Sequence, residues 1–457
     1  MTIQSPTAPT AWRRWTVGLG GLALLGCQVF AAATPEADPG FPSGSAAPQD
    51  EPRALAFVGA RLIPISGPEI REGVLIVRDG RIAAIGNKDD IDVPADAEVI
   101  DVGGQWIMPG LICTHSHIGS PWGADSSHPI QPDVRAFDSI DVRAASVHRA
   151  RAGGLTTVNC MPGSGHLISG QTAYLKLRKG DTVEDLTYRW EDGAPMGGLK
   201  MANGTNPQDD PPFPGTRGKS AAMVRQKYID AVAYRDKLAA GEEVERDLGL
   251  EALAQCLDGQ RIVHHHTHRH DDILTVLRLA EEFGFRVVLH HVSEGWKVAD
   301  QIAAAGVPVS AIVVDSPGGK QEATDVSFAT AGILHRAGVR VAMHTDDYIT
   351  DSRLFLRSAA FALRAGLPRH KALESVTLAG AEMLDLQERI GSLEVGKDAD
   401  LVFLDGDPLS VYTQILETWV EGERVFDLDD PEDRLYAVGG FGAGDDQTFT
   451  GCCALVR

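Results

Sequence analysis

The middle of the chain alternates short apolar runs with amphipathic stretches, and this alternation constrains the fold more than any other sequence feature. The pattern predicts parallel strands joined by helical crossovers. Gly284, Gly306 and Gly338 follow helix-like stretches, at positions where helices commonly end. Eight apolar runs predict an α/β fold with a closed (β/α)₈ TIM barrel. The runs are residues 111–114, 155–160, 173–177, 198–201, 261–265, 286–290, 307–313 and 339–344.

Shorter β-type segments stand on both sides of this middle region. They are apolar or alternating, and turn residues such as Arg-Asp-Gly-Arg separate them. We therefore predict two β pieces, one near each end of the folded chain. The segments are residues 54–64, 73–77 and 81–85 on one side and 391–393, 400–404, 418–420 and 424–426 on the other.

The N-terminus has the character of a targeting segment. Two arginines precede an apolar run over residues 15–25, which is too short to span a bilayer but suits the core of a signal peptide. The run leads into Leu-Leu-Gly-Cys27, which resembles the lipobox of bacterial lipoproteins. We expect removal of residues 1–26 and export to the periplasm or cell envelope, with a lipid anchor on Cys27. An ordinary secretory peptide cut near residues 31–33 is the alternative.

Composition excludes several classes of protein. The formal net charge is -21 and the pI is about 5.1, so the surface repels phosphate backbones and we expect no nucleic-acid partner. Hydrophobic residues make up 43% and charged residues 23%, as in ordinary soluble enzymes. The six cysteines lack zinc-ribbon spacing, so neither a cysteine-based zinc site nor a disulfide framework is predicted.

Histidines follow several of the predicted strands. The chain contains 15 histidines, and many of them stand at or just after the carboxyl ends of the first, fifth, sixth and eighth apolar runs. Residues i and i+2 of a strand face the same way, so His115 and His117 can present two imidazoles to one ion. The carboxyl ends of barrel strands form the catalytic face of such folds. The repetition therefore predicts a metal site at this face.

Two motifs resemble the signatures of a known family. Residues 108–117 read Met-Pro-Gly-Leu-Ile-Cys-Thr-His-Ser-His, and residues 391–402 read Gly-Ser-Leu-Glu-Val-Gly-Lys-Asp-Ala-Asp-Leu-Val. They resemble the first-strand and C-terminal signatures of the amidohydrolase superfamily. Residues 266–273 and 291–295 resemble its imidazolonepropionase-related branch. Cys113 departs from the pattern because an acid often occupies its place, so we expect the support of the first metal to differ here.

The resemblance implies a metal-dependent TIM barrel joined to a small β-sandwich that both chain ends build. The tail of the chain carries the vicinal pair Cys452-Cys453, to which we assign no role. The expected divisions are a lipoprotein-type signal peptide at 1–26, a disordered tether at 27–53, the sandwich at 54–108 and 387–430, the barrel at 109–386 and a flexible tail at 431–457.

The resemblance also implies the metal ligands, which suit two divalent ions with zinc as the default. They are two imidazoles after strand 1, one each after strands 5 and 6, and the acid after strand 8: His115, His117, His266, His291 and Asp346. One strand end cannot aim five histidines inward. We therefore expect the remaining histidines of the fifth cluster to point outward or to support the ligands, namely His264, His265, His268 and His270.

The last implied ligand is a lysine on strand 4. Binuclear members carry there a lysine carboxylated by CO₂, whose carbamate bridges both ions, and Lys200 occupies that place. A solvated, unmodified lysine is one alternative, and Lys176 is a rival position for the bridge. An ammonium between two divalent cations would be repelled by both, at about 4 kcal/mol per unit-charge pair at 4 Å and an effective dielectric of 20.

Such a centre implies a reaction class. A bound ion lowers the pKa of water to about 7, so a metal-bridging hydroxide can attack a carbonyl while Asp346 acts as general base and then acid. We expect hydrolysis of a C–N bond in a small amide, cyclic amide or dipeptide-like molecule. A mononuclear zinc aminohydrolase (a deaminase) is the enzyme alternative, disfavoured by Arg269 where deaminases commonly carry glutamate. A non-catalytic zinc-binding lipoprotein is the other alternative.

Three side chains are candidates for contact with a small-molecule substrate. Arg178 could hold a carboxylate through two parallel hydrogen bonds. Each of the three also fits an ordinary structural role, and the sequence assigns neither the substrate nor the oligomeric state. The candidates are Gln171, Tyr174 and Arg178.

Overall fold

The structure is a computed structural model, and the predicted targeting segment falls outside the part that it describes. The same holds for the tether and for the Cys452-Cys453 pair, so Cys27 and its proposed anchor have no structural description. Within the described part of the chain, no helix is both long and apolar enough to cross a membrane. The described residues are 54–119, 125, 127–312, 321–347 and 349–439.

Strands dominate both ends of the described chain, and strands alternate with helices between them. The strands are β1 (Leu55–Leu62), β2 (Ile70–Arg78), β3 (Arg81–Asn87), β4 (Glu98–Asp101), β5 (Trp106–Pro109), β6 (Leu111–Ser116), β7 (Leu155–Cys160), β8 (Ile168–Gln171), β9 (Ala173–Lys176), β10 (Leu199–Ala202), β11 (Val263–Thr267), β12 (Val287–His291), β13 (Val309–Ala311), β14 (Val341–Met343), β15 (Leu401–Leu404), β16 (Ile415–Val420) and β17 (Glu423–Asp427). The α-helices are α1 (Ala145–Ala152), α2 (Val183–Leu186), α3 (Arg217–Ala239), α4 (Leu248–Leu257), α5 (His270–Phe283), α6 (Ala299–Ala304), α7 (Thr330–Arg336), α8 (Phe355–Arg364), α9 (Arg369–Glu374), α10 (Leu378–Glu382) and α11 (Pro431–Val438).

One sheet joins the two ends of the folded chain. Its strand order is β17-β16-β15-β5-β1-β2-β3, and β4 pairs with β1. The junction is the antiparallel pair β5–β15, in which Pro109 lies opposite Leu401. Phe57 of β1 packs edge-on against Phe403 of β15, with ring centroids 5.0 Å apart. The two predicted β pieces therefore share one sheet and one apolar core.

Parallel strands form the middle of the molecule. Strands β10 to β14 pair in chain order with every neighbour parallel, and β6 is parallel to β7. Beyond β14, the amide of Asp346 donates to the carbonyl of His115 over 3.0 Å, which brings the ends of β14 and β6 together. The fold is thus mixed α/β, as predicted, and the carboxyl ends of parallel strands meet at one edge.

The third predicted strand departs from the expected barrel pattern. Ala173–Lys176 (β9) runs antiparallel to β7, and the preceding Ile168–Gln171 (β8), which the sequence analysis does not predict, runs antiparallel to β10. A parallel return needs a crossover of about a dozen or more residues, and residues 161–167 are too few. The chain therefore turns straight back, so Lys176 at the end of β9 lies opposite Thr157, near the start of β7.

Helix α5 shows how the crossovers support the strands. It begins shortly after β11 and buries Ile273, Val276 and Leu279. Its C-cap residue Gly284 has φ 75°, a left-handed conformation that favours glycine, and its amide donates to the carbonyl of Ala280 over 2.8 Å. The helix ends where the sequence predicts, and the chain turns back into β12.

The first part of the predicted flexible tail is a helix. Pro431–Val438 forms α11, whose cap residue Asp430 accepts hydrogen bonds from two amides of the first turn. Tyr436 stacks on His148, with ring centroids 4.7 Å apart. The expectation of flexibility from residue 431 is therefore wrong for these residues, because the cap, the proline in the first turn and the ring contact all favour the helix.

Candidate metal centre

Polar side chains converge at the carboxyl edge of the parallel strands. Neighbouring parallel strands end at the same edge, so residues far apart in sequence meet there. All six predicted metal-site residues belong to this group, together with three histidines that were not predicted as ligands. The members are His115, His117, Lys200, His266, His268, His290, His291, His344 and Asp346.

The first set of possible ligands centres on the acid after β14. Nε2 of His115 lies 3.3 Å from Oδ1 of Asp346, and Nε2 of His117 lies 3.1 Å from the same oxygen. Nδ1 of His117 lies 2.7 Å from the carbonyl oxygen of Met161, which can only accept, so this nitrogen carries the proton. In the neutral ring, Nε2 then directs a lone pair at a carboxylate oxygen. A divalent metal ion between the two atoms would satisfy both of them.

Backbone strain concentrates at the same place. His291 and Asp346 have φ values of 72° and 48°, and Val292 beside His291 has a φ of 46°. Left-handed conformations are costly for residues other than glycine and cluster at functional sites, where the surrounding structure enforces them. The sequence carries no signal for this strain, which marks two of the predicted ligands independently of their residue type.

The protonation states suit metal binding. Burial, reinforced by Lys200, lowers the pKa of His115 well below its ordinary value, and burial together with His266 does the same for His291. Both rings are therefore neutral, which is the form that binds metals. Burial alone would raise the pKa of Asp346, but its interactions with His117, His344 and Lys200 outweigh burial and hold that pKa below its usual range.

A second set contains only imidazoles. His266 and His291, both predicted ligands, lie beside His268, and each of the three offers a ring nitrogen within 4.8 Å of the others. All three side chains are buried. The prediction that His268 points outward or merely supports the ligands does not fit this placement. The same prediction fits the other three histidines that follow the fifth predicted strand. His264 and His265 bond to neighbouring groups, and His270 pairs with Glu294 at the surface.

A chain of hydrogen-bonded rings leads from the site into the interior. The Tyr174 hydroxyl lies 2.9 Å from Nε2 of His264, whose Nδ1 lies 3.0 Å from Nε2 of His290. Nδ1 of His290 is in turn 3.3 Å from Nδ1 of His115. His115, His290 and His344 form a third set with ring nitrogens within 4.8 Å of one another. Tyr174 is buried at the far end of this chain, so the prediction that it contacts substrate does not fit.

Lys200 lies where the sequence analysis places the bridging lysine. The side chain is fully buried, and its Nζ is 3.1 Å from Nε2 of His115 and 3.3 Å from Sδ of Met161. This places the lysine nitrogen directly beside the first set of ligands. The position suits a group that contacts the metals, whereas a solvated lysine would need exposure that Lys200 lacks.

The rival lysine lies elsewhere. Nζ of Lys176 bonds to Asp398 and lies 3.3 Å from Asp400 and 3.2 Å from Glu421. These acids belong to the C-terminal β region, which β9 reaches because it runs opposite to the parallel strands. Lys176 therefore holds the middle of the molecule to the long sheet, and its placement argues against a role as the metal bridge.

Two further substrate candidates make structural contacts. Arg178 pairs with Glu421 through Nε at 2.9 Å and Nη2 at 3.0 Å, while its Nη1 donates to the carbonyl of Asp185. Gln171 donates to the carbonyl of Pro132 over 3.0 Å. The prediction that Arg178 clamps a substrate carboxylate is wrong for this structure, because the reversed strand carries it to the other end of the parallel strands.

Cys113, which departs from the family pattern, links two of the strands that carry ligands. Its Sγ donates to the carbonyl of His115 and accepts from the amide of Thr345, over 3.1 and 3.3 Å. Burial raises the pKa of Cys113 to about 11, so it remains a thiol at neutral pH. The thiol thus joins the ends of β6 and β14 and helps to position His115 and Asp346.

Comparisons with known proteins bear on the family of this chain. A family model described as Amidohydrolase family matches residues 221–426. The solved structure of an amidohydrolase from Thermotoga maritima MSB8 is similar over 82% of this chain and 100% of that chain, with 32% sequence identity and a TM-score of 0.75. The likeness therefore extends over most of this chain and the whole of that chain.

Two curated relatives are similar over long stretches. The imidazolonepropionase of Bradyrhizobium sp. strain BTAi1 is 26% identical over 369 residues, which cover 74% of this chain and 88% of that protein. Amidohydrolase tasK of Hapsidospora irregularis is 26% identical over 418 residues, or 82% of this chain, although these span only 43% of that protein. These matches confirm the motif-based resemblance: the chain belongs to the amidohydrolase superfamily of metal-dependent hydrolases.

Proposed function

We propose that this hydrolase cleaves a carbon–nitrogen bond in a small amide or cyclic amide. One observation carries the proposal: Nε2 of His115 and of His117 converge on Oδ1 of Asp346, at 3.3 and 3.1 Å, so the three side chains could hold one metal ion. His266 and His291 stand in the neighbouring set. A relative named imidazolonepropionase supports the cyclic amide as one form of the substrate.

The proposed centre holds two divalent ions, with zinc as the default for this ligand set. When bound, the ions lower the pKa of coordinated water and polarise the substrate carbonyl. Asp346 is the proposed proton carrier. Its Oδ1 faces the two histidines of the first set, so Oδ2 is the oxygen that accepts a proton and returns it to the leaving nitrogen. Its side chain is 21% exposed, so the substrate can reach it.

The proposed state of Lys200 is the carbamate. An ammonium at 3.1 Å from a ligand nitrogen would lie close to the bound ions and be repelled by them. Loss of the ammonium proton, followed by attack of the neutral amine on CO₂ with release of a second proton, would replace this positive charge with a carbamate anion that could contact both metals. The burial of Lys200 and its closeness to His115 support this form.

The proposed barrel is the eight-stranded one that the sequence predicts, with its third strand reversed. Segments β9 and β8 would fill the place between β7 and β10, since each pairs antiparallel with one of those neighbours. Closure would lie between β14 and β6, where the amide of Asp346 reaches the carbonyl of His115. The proposed sandwich is the long sheet that both chain ends build.

Asp346→Asn tests the proposed function. The amide keeps an oxygen ligand but loses the proton acceptor, so we expect turnover to fall by about 10²–10⁴-fold. The assay uses zinc-loaded protein with a panel of N-acyl amino acids, dipeptides and cyclic amides, and metal content is measured in parallel. Asp385→Asn is the control because Asp385 pairs with Arg286 at the surface. Undiminished turnover in Asp346→Asn would contradict the proposal.

The same assay, with an amino-substituted ring compound added to the panel, separates the alternatives. A mononuclear deaminase would bind one metal per chain and release ammonia from an amino-substituted ring without cleaving an amide. A non-catalytic zinc-binding protein would bind metal and turn over nothing on the panel. Two metals per chain together with amide cleavage would support the proposed hydrolase against both.

We also propose export with a lipid anchor on Cys27, which rests on the sequence motif alone. Cys27→Ser should release the protein from the membrane fraction into the soluble fraction. Unchanged fractionation of the variant would count against the anchor and favour an ordinary secretory peptide.

A further inference from the structure

A cavity lies at the amino end of β14, whereas Asp346 follows the carboxyl end of the same strand. Its volume is about 230 Å³, and its walls come from the last turn of α7, the start of β14 and the segment that leads from Leu367 into α9. Sites for drug-sized molecules occupy about 300–1,000 Å³, so this cavity suits a smaller molecule. Its described lining residues include no proposed metal ligand.

The polar part of the cavity wall is basic. His335, Arg340 and Lys371 line the cavity, and its described lining residues include no acid. The side chains of Arg340 and Lys371 are each 30% exposed, so a small molecule can reach them. The whole chain has a formal net charge of -21, so its composition does not favour a wall that carries basic groups alone. This wall is therefore suited to an anion.

Arg340 and Lys371 keep donors that their ion pairs do not use. Arg340 bonds to Glu382 through Nε and Nη2 and to Glu374 through Nη1, and a guanidinium has five N–H groups. Nζ of Lys371 lies 3.0 and 2.7 Å from the two carboxylate oxygens of Glu374, so this one glutamate serves both cations. Neither glutamate is among the described residues that line the cavity. An anion there could accept hydrogen bonds without displacing these pairs.

The surroundings of His335 also favour an anion. Burial lowers the pKa of His335, and Lys371, His370 and Arg336 lower it further, although Glu374 acts in the opposite direction. The ring is therefore neutral at neutral pH and offers one N–H donor. An anion beside the ring would oppose the effect of the basic neighbours on this pKa.

The rest of the cavity wall is mainly apolar. Val339, Val341 and Leu367 line the cavity beside the basic side chains, and all three are less than a tenth exposed. Ligand sites commonly combine an apolar lining with a few polar groups that fix the orientation of the ligand. A molecule with an anionic end and a short apolar end would satisfy both parts of this wall. Inorganic phosphate has no apolar part and would leave the three apolar side chains without a contact.

We propose that this cavity is a second ligand site, separate from the metal centre, and that it binds a small organic carboxylate. The carboxylate contacts Lys371, Arg340 and His335, and a short apolar chain packs against Val339, Val341 and Leu367. The site uses no metal ion and no residue of the candidate metal centre, so it does not depend on the proposed function.

The main test follows the methyl signals of Leu367 by NMR while butyrate is added to the zinc-loaded protein. A Leu367→Met variant assigns these signals. Butyrate should shift them in a saturable way, because its chain packs against this side chain. Butan-1-ol has a similar chain without the charge and should bind about 10-fold more weakly. The absence of a saturable shift with butyrate, or equal binding of the alcohol, would overturn the proposal.

Two lysine variants test the charge contact. Lys371→Met removes one ammonium group and should weaken butyrate binding, measured at the same methyl signals, by about 10-fold. The matched control is Lys237→Met, because Lys237 is an exposed lysine that does not line the cavity, and its affinity should equal that of the wild type. Equal affinity in Lys371→Met and wild type, or an equal loss in both variants, would overturn the proposal. The comparison of butyrate with butan-1-ol needs no variant, so it remains decisive if a variant does not fold.

Two smaller anions test the apolar contact. Acetate lacks two methylene groups of butyrate, and inorganic phosphate lacks a chain, so each should bind about 10-fold more weakly than butyrate. Phosphate binding as tight as that of butyrate would assign the cavity to oxyanions without an apolar part and would overturn the proposal. Asp346→Asn should bind butyrate at this cavity as the wild type does, because Asp346 lies beyond the other end of β14. A loss of butyrate binding in Asp346→Asn would place the site at the metal centre and contradict a separate cavity site.

Discussion

Two fully buried lysines in this molecule have opposite surroundings. Lys176 bonds to Asp398 and lies within 3.3 Å of Asp400 and Glu421, so carboxylates neutralise its charge. Lys200 lies 3.1 Å from an imidazole nitrogen of His115 and donates to a thioether. Burial would lower the pKa of Lys176, but its acidic neighbours outweigh this effect and raise it above the ordinary value.

The difference separates a lysine with a structural role from a lysine that we propose takes part in the chemistry of the site. Lys176 is held in its charged form and pairs the middle of the molecule with the long sheet. Lys200 stands beside proposed metal ligands, where a positive charge is unfavourable once ions bind and a carbamate is favourable. Burial alone therefore does not identify a functional lysine, because the charges around it decide its role.

Lys176→Met should give the largest change in stability. Removing one partner of a buried ionic cluster leaves the others uncompensated, at a cost of about 3–5 kcal/mol. We expect the lower end, because Arg389 still reaches Asp398 at 2.8 Å. Urea unfolding measures the effect, and metal content should not change. Arg81→Met is the control: Arg81 is 55% exposed and lies 3.5 Å from the same aspartate, so it should cost less than about 1 kcal/mol.

Lys200→Ala should give the largest change in turnover among the lysine variants. Loss of the proposed carbamate removes an anion beside the reacting groups, and we expect turnover to fall by about 100-fold. Short carboxylic acids should restore part of the activity by filling the vacated space. The same acids should not affect Lys176→Met. Normal turnover in Lys200→Ala would show that the two lysines do not differ as we infer.

The acidic cluster predicts a dependence of stability on pH. Burial raises the pKa of Asp398, but Lys176 and Arg389 outweigh burial and lower it below 3.8. A lowered folded-state pKa stabilises the protein above the unfolded-state value, and this contribution is lost as pH falls through the folded-state value. The stability gap between wild type and Lys176→Met should therefore narrow as pH falls below about 4 in unfolding curves. A gap that stays constant down to pH 2 would contradict the ion-pair interpretation.

Combining the two lysine substitutions should show almost no coupling in stability. Lys176 lies near the start of β7, whereas Lys200 lies beside ligands at the strand ends, and the two share no contact among those described. The double variant should match the sum of the single changes within about 0.5 kcal/mol. A larger coupling in a double-mutant cycle would show that the metal site and the sheet junction respond as one unit.

The convergence of the candidate ligands was predictable because parallel strands impose a simple rule. Histidines at the ends of separate parallel strands must meet at one edge, and this rule brings His115, His266 and His291 together. The direction of β9 was not predictable from its apolar residues. A strand that is buried on both faces is apolar throughout, whether it runs parallel or antiparallel to its neighbours. This one reversal explains why Lys176 and Arg178 could be considered for the site although the structure places them elsewhere.

His268 could have been included among the candidate ligands because of its spacing from His266. It follows His266 by two residues, as His117 follows His115, and both pairs stand at strand ends. The positive φ angles at His291 and Asp346, by contrast, have no counterpart in residue type, because neither histidine nor aspartate requires them. Such strain depends on contacts between distant segments, so only the folded structure shows it.

The pairing of β5 with β15 has a consequence for the order of folding. β5 precedes the parallel strands and β15 follows them, so one side of β5 lacks its antiparallel neighbour until nearly the whole chain has been synthesised. Contacts between residues so distant in sequence form slowly, and an unpaired apolar edge can template aggregation. Chains that stop before Leu401 should therefore aggregate in translation assays, even though every proposed metal ligand has already been made.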